Sequence, residues 1–439
     1  MARLNTAETQ LPQAPGINPG YRWWCVRASK LLVAVVICLV AGQSAGHDVY
    51  LMNSNHTDYN WNATAAEYDA AMLAELDYYL QQITDTSGAP VEEQARYVPD
   101  NWWFLWLYEH NRTAEEFDQL IDAIRSGHIT IPLNPFVILY GALPTEAAIR
   151  AGYYPGRIAR RYGLDFLLAE NIENHTNPWG IASLWAGSGV RYTWKGVCGC
   201  ADQQAPDRLD DELFVWQGPD DKILLFKWYN LLGSYKDWGG YSEARNIVDG
   251  ASSIDTQITR TQVRMPGIGV TGMFGAGWDD VDWQSTGVVD KVTAYNDLGT
   301  GNRAIVSNGI DFFHALEESG DAALLDTLRG GWGNDWDMWA ASLAERTSRV
   351  RRALEQLRTA EALAAFAELH AAGFWPPVRD SLESGLMSVW KFFEHSWNVT
   401  GGGPTLAQMK ADKEAWAQDI ENAVSGAVTA AETTISGLF

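Results

Sequence analysis

Val49-Tyr50-Leu51-Met52 is an unbroken apolar run that turns polar at Asn53, and the pattern predicts a buried first strand ending there. Behind the capping box Thr64-Ala65-Ala66-Glu67, residues Tyr68, Met72, Leu76, Leu80 and Ile83 recur at helical spacing. A second box, Thr113-Ala114-Glu115-Glu116, opens another helix that Gly127 closes. Residues 128–132 read as a strand, 146–162 as a helix, and Phe166-Leu167-Leu168-Ala169 as the next strand. Apolar runs at 214–216 and 223–228 flank the turn Gly218-Pro219-Asp220-Asp221 and read as a strand pair. This alternation over 47–335 predicts an α/β domain with a mostly parallel sheet covered by helices.

After Trp336 the texture changes. Residues 338–370 carry one long helical pattern, 378–397 a second and 406 onward a third, separated by Gly373–Pro377 and by Gly401-Gly402-Gly403-Pro404. Short breaks between long helices predict a three-helix bundle over 336–439. At the other end, Arg22, Arg27 and Lys30 precede an apolar stretch at 31–41, and small residues follow. Eleven apolar residues fall short of the roughly 20 that a bilayer span needs. Residues 1–46 therefore read as a signal peptide for the secretory pathway or periplasm, with membrane attachment only if the segment stays on as a signal anchor.

Thirty-two basic against 55 acidic residues give a net charge of −23, with no basic cluster in the mature region. That excludes nucleic acid as a partner. With 46% hydrophobic residues the chain is globular. Its 21 Trp and 17 Tyr serve either core packing or the stacking of sugar rings. Beyond the signal segment only Cys198 and Cys200 remain, a pair open to a loop disulfide, free thiols or a metal site. An oxidising compartment favours the disulfide. Asn55, Asn62, Asn111, Asn174 and Asn398 head glycosylation sequons.

The chemistry concentrates at the end of the first strand, in His56-Thr57-Asp58-Tyr59-Asn60-Trp61. On an extended chain His56 and Asp58 point to one face, where an imidazole and a carboxylate could hold a divalent metal such as zinc. The strand's C-terminal edge is also where α/β barrels keep their active sites. A second stretch, Glu170-Asn171-Ile172-Glu173-Asn174-His175-Thr176-Asn177-Pro178-Trp179-Gly180, ends the Phe166 strand and leads into Ala182-Ser183-Leu184-Trp185.

With these two stretches the sequence resembles glycoside hydrolase family 38, the zinc-dependent α-mannosidases. The first matches the family's His-x-Asp-Pro-Gly-Trp-like motif at the His, Asp and Trp. Anchoring the second on Ala182-Ser183-Leu184-Trp185 sets Ile172-Glu173 on the family's Ile-Asp without a gap. Trp216-Gln217-Gly218-Pro219-Asp220 resembles a strand-turn of the family, and Met273-Phe274-Gly275-Ala276-Gly277 before Asp279 resembles its Phe-Gly-x-Gly-Asp segment. Phe393-Glu394-His395 falls near its His-bearing segment. The resemblance implies an irregular (β/α) barrel followed by the bundle, a carbohydrate substrate and a retaining mechanism on a zinc site. It implies His56, Asp58, Glu173 and His395 as ligands and Glu173 as nucleophile too. Asp279 is the implied acid, with Asp280 and Asp282 as rivals in the same loop, and Trp61, His175 and Trp179 are substrate-binding candidates.

Glu173 stands where the family has aspartate and is one methylene longer. This departure sets a second reading, a glycan-binding relic without turnover, beside the hydrolase. Polysaccharide deacetylases also use His and Asp on zinc, but they need a further His pair at helical spacing, and no His-x-x-x-His occurs. Of the other histidines, His47, His110, His128 and His370 read as solvated or capping, and His314 as structural.

Overall fold

A computed structural model describes residues 46–172, 176–196, 213–229, 251–275, 287–333, 335–397 and 405–438. The first strand, β1 (Asp48–Met52), pairs in parallel with β6 (Val270–Met273) on one side and β7 (Arg303–Ser307) on the other. Being central, it is buried on both faces, and the period-two alternation of a strand divides its side chains. Val49 and Leu51 join the cluster of Ile254, Met273 and Val292 beneath α7 (Ala251–Arg264) and α8 (Gly287–Asn296). Tyr50 and Met52 face the opposite cluster with Phe312 and Phe313 of α9 (Ile310–Glu318).

A second sheet has the order β2-β3-β5-β4-β8. Here β2 (Leu168–Glu170), β3 (Tyr192–Gly196) and β5 (Ile223–Tyr229) run parallel, β4 (Leu213–Gln217) is antiparallel to β5, and β8 (Thr327–Arg329) is parallel to β4. The strand pair read around Gly218 is thus present as β4 and β5. The segment read as a strand at 128–132 is not a strand. It touches the sheet system through one bridge, Tyr97 to Ile129, next to another from Ser54 to Val98. With Leu133 N–H donating to Leu168 O at 2.8 Å, these single contacts link the two sheets where a regular barrel would have full strands. Among the described residues no ladder closes the sheets into a ring.

Both capping boxes form: Thr64 caps α1 (Ala65–Asp85) and Thr113 caps α3 (Ala114–Arg125). Between them lies α2 (Trp103–Asn111). The helix expected at 146–162 is two helices, α4 (Thr145–Arg150) and α5 (Tyr153–Tyr162). Pro155 explains the break: it lacks an N–H and fits only a first turn, so a new helix starts just ahead of it. After β2, α6 (Trp179–Gly187) covers β4 and β5.

The bundle consists of α10 (Ala344–His370), α11 (Trp375–Phe393) and α12 (Leu406–Ser436), with α12 packed on both others. Gly385 permits the close approach, since a Cβ there would lie 2.9 Å from Ala423 Cβ. Residues 335–343 form a 3-10 segment rather than part of α10. The second helix ends at Phe393, not at 397, because Glu394 turns to an extended ψ of 146°. Residues 393–395 then run antiparallel beside 137–139: Leu139 N–H donates to Phe393 O and His395 N–H to Val137 O, both at 3.0 Å. Trp390 Nε1 donates to Ala147 O at 3.1 Å, and Arg150 makes a bidentate pair with Glu361 at 2.6 and 2.7 Å. Bundle and sheets accordingly belong to one compact unit, Ala45–Phe439.

Candidate metal centre and active site

Beyond Met52 the chain continues extended, with Val98 N–H donating to Asn53 O at 3.0 Å. His56 is buried to 3% exposure. Thr57 is fixed by Asp100, whose carboxylate accepts its N–H at 2.7 Å and its hydroxyl at 3.2 Å. A turn follows, closed by Trp61 N–H on Asp58 O at 3.0 Å, with Asn60 at φ 67°. A left-handed residue at the third position of a turn favours Gly or Asn, and Asn60 fills it here. The turn presents Asp58 back towards the bundle.

There Asp58 Oδ1 meets two imidazoles, His56 Nε2 at 3.2 Å and His395 Nε2 at 2.9 Å. The three side chains each aim a ligand atom into one space, all within 4.8 Å of one another. His395 is held on its other edge by Glu394, whose Oε1 lies 2.6 Å from Nδ1. Glu394 Oε2 already accepts the Ser396 N–H at 2.8 Å, so the carboxylate acts as acceptor and Nδ1 carries the donated proton. That leaves Nε2 as the ligand atom, the usual arrangement for a metal-binding histidine. Trp336, from the 3-10 segment, stacks on the His395 ring at 5.9 Å and 18°. Two imidazoles and a carboxylate on a buried floor fit a divalent ion.

Burial alone would raise the Asp58 carboxyl, but His56 and His395 outweigh it and hold the group well below the usual carboxylate range. The acids behind it behave oppositely. Asp100 is pushed up to about 6 by burial, against the pull of His56 and the Thr57 N–H. Glu170, the last residue of β2, is raised well above its ordinary value by burial and then by the nearby Asp100 charge, although Trp194 Nε1 donates to it. Its Oε1 has no partner among the described residues.

Glu173 and His175 lie outside the described residues, as do Asp279, Asp280, Asp282, Cys198 and Cys200. The flanks of the Glu173 segment are tied together: Asn171 Nδ2 donates to Thr176 O at 2.9 Å, and Lys195 Nζ donates to Asn171 O. Trp61 is half-buried beside Asp58. Trp179 is 38% exposed at the start of α6 and donates its Nε1 to Gln217 O at 2.8 Å. Among the described residues most tryptophans go to packing, with Trp102, Trp194, Trp216 and Trp228 among the largest fully buried side chains. His47 is not solvated: it is buried with Nε2 at 2.8 Å from Thr271 Oγ1, and burial lowers its pKa. Asn55 is also buried and donates to Glu75 at 3.0 Å, which leaves no room for a glycan. Asp100 and Trp336 were not singled out in the sequence as site residues. Glu170 had a signal as the carboxylate that ends the Phe166 strand, and Glu394 had one in its adjacency to His395.

No family model matches the sequence, and no curated protein matches it. Solved structures do share the fold. An α-mannosidase from Enterococcus faecalis V583 aligns with a TM-score of 0.63 at 16% identity, over 88% of this chain and 42% of its own. A glycosyl hydrolase family 38 protein from Enterococcus faecalis gives 0.57 at 15% identity, over 88% and 40%. A 4-alpha-glucanotransferase from Thermococcus litoralis gives 0.50 at 11%, over 86% and 60%. This chain thus spans about two fifths of the length of the first two. The fold, α/β with a helical bundle, is the one this chain shares with these two proteins.

Proposed function

We propose that this chain is a zinc-dependent glycoside hydrolase that cleaves α-mannosides or related glycans with retention. The observation that carries the reading is the meeting of His56 and Asp58, from the end of β1, with His395, from the end of α11. Ligand atoms about 2.0–2.1 Å from a tetrahedral zinc lie about 3.3–3.4 Å apart. The separations of 3.2 and 2.9 Å here need to open by only a few tenths of an ångström. When bound, the ion supplies positive charge that holds sugar hydroxyls and keeps the nucleophile ionised.

The protein's own groups do the rest. The Glu173 carboxylate attacks the anomeric carbon as the bond to the leaving oxygen breaks, and Asp279, with Asp280 and Asp282 as alternates, gives that oxygen a proton. Water then attacks the same carbon, losing its proton to the Asp279 carboxylate, and Glu173 leaves as carboxylate. Trp61, His175 and Trp179 contact sugar in this reading. Residues 47–335 form the catalytic domain, 336–439 supply His395, and residues 1–46 direct the chain to the secretory pathway.

Aryl α-mannosides assayed with and without chelator test it. Zinc-dependent turnover is expected, abolished in Glu173→Gln, which removes charge but little volume. A zinc-loaded wild type that binds mannosides and turns none over would instead favour the binding-only reading, in which the longer Glu173 side chain has cost the attack geometry.

A further inference from the structure

The helix α12 supplies no ligand to the metal group, yet it touches both segments that do. Asn60, two residues after Asp58, donates from Nδ2 to Asp412 Oδ2 at 3.1 Å. The next residue, Lys413, is 1% exposed and sends its Nζ to the carbonyl oxygens of Phe392 at 2.9 Å and Lys391 at 3.2 Å. Those are among the last carbonyls of α11, which have no partner within their own helix, and His395 hangs three residues further on. The rings of Trp397 at 4.5 Å, Trp416 at 5.2 Å and Phe392 at 5.7 Å close around the amine. One turn of α12 therefore grips the Asp58 turn with one side chain and the helix end that bears His395 with the next.

We infer that Asp412 and Lys413 are positioning residues that hold the two ligand-bearing segments in register, so that His395 Nε2 meets Asp58 Oδ1 across the junction of sheets and bundle. A cation capping a helix end is ordinary; what sets this one apart is its neighbour's bond to the other half of the site. The inference rests on the metal-site reading and predicts that metal affinity depends on a helix that never touches the ion. Groups one step removed from a ligand are worth about 10–100-fold in affinity.

The test is zinc affinity of the full chain by competition with a chromogenic chelator, with the cobalt-substituted absorption spectrum as a report on ligand geometry. Asp412→Ala and Lys413→Met should each weaken zinc about 10-fold or more and alter the cobalt spectrum. Asp412→Asn keeps an acceptor for Asn60 and should bind like wild type. Asn60→Gly keeps the left-handed backbone while removing the bond, and in that background Asp412→Ala should add nothing. Circular dichroism identifies any variant that has merely lost its fold, and the Asp412→Asn and Asn60→Gly pair then carries the test. Wild-type protein that binds no zinc would remove the metal site and this inference with it. Wild type that binds zinc, alongside folded Asp412→Ala and Lys413→Met variants of equal affinity and unchanged spectrum, would overturn the positioning role alone.

Discussion

Glu394 sets which nitrogen of His395 is available. It is 1% exposed and accepts from both His395 Nδ1 and the Ser396 N–H, so it cannot rotate away without leaving two buried donors unpaired. Glu394→Ala should weaken zinc about 10–100-fold, as loss of a histidine's orienting partner does elsewhere. Glu394→Gln keeps an acceptor oxygen and should fall between the two. Isothermal titration with zinc measures both, and equal affinity in all three proteins would refute the role. His56 and Asp58 were legible in the sequence because two residues of metal-binding type sit two apart at a strand end. Glu394 had only its adjacency to His395 as a signal, and Asp100 had none, since its work depends on a partner the sequence does not place: it reaches Thr57 across 43 residues.

At the scale of elements, α1 carries an acid on its apolar stripe. Glu75 lies between Met72 and Tyr79 on the buried face, and burial pushes its carboxyl up to about 8. An unfolded glutamate ionises near its ordinary value of 4.5, so between pH 4.5 and 8 the folded chain keeps a proton that the unfolded chain releases. Stability should fall through that window as pH rises, by up to roughly 1.4 kcal/mol per pH unit for one proton. Lys413 acts in the opposite sense, because burial lowers its amine to about 7 from 10.5; it should add stability as pH rises from 7 towards 10.5. Glu75→Gln should therefore flatten the fall between pH 4.5 and 7, read from urea midpoints, and an unchanged slope would contradict the assignment. The helix starts at Thr64 and Thr113 were readable because a capping box is contained in four consecutive residues. The end of α11 was not, since Glu394 and His395 leave the helix to pair with Ile138 and Val137, 256 positions away in the chain for Ile138 and Glu394. The segment at 128–132 has the composition of a strand but finds a single bridge, because neighbouring segments and not propensity decide pairing.

For the whole molecule, the division of labour is between a sheet edge and a bundle, each of which holds part of the candidate metal group. Neither alone assembles it: His56 and Asp58 come from the first strand's end, and His395 arrives only because the bundle docks against residues 137–139. The α/β alternation and the three long helices were visible as periodicities, whereas their mutual placement was not, being fixed by scattered contacts such as Arg150 with Glu361 and Trp390 with Ala147. In the proposed function this junction is a zinc site. It is tested most directly by the zinc content of purified full-length protein after equilibrium dialysis, combined with X-ray absorption at the zinc edge. One tightly held zinc per chain with two imidazole ligands is expected, lost in both His56→Ala and His395→Ala; a chain that retains no zinc, or that retains it undiminished without those histidines, would rule the zinc site out.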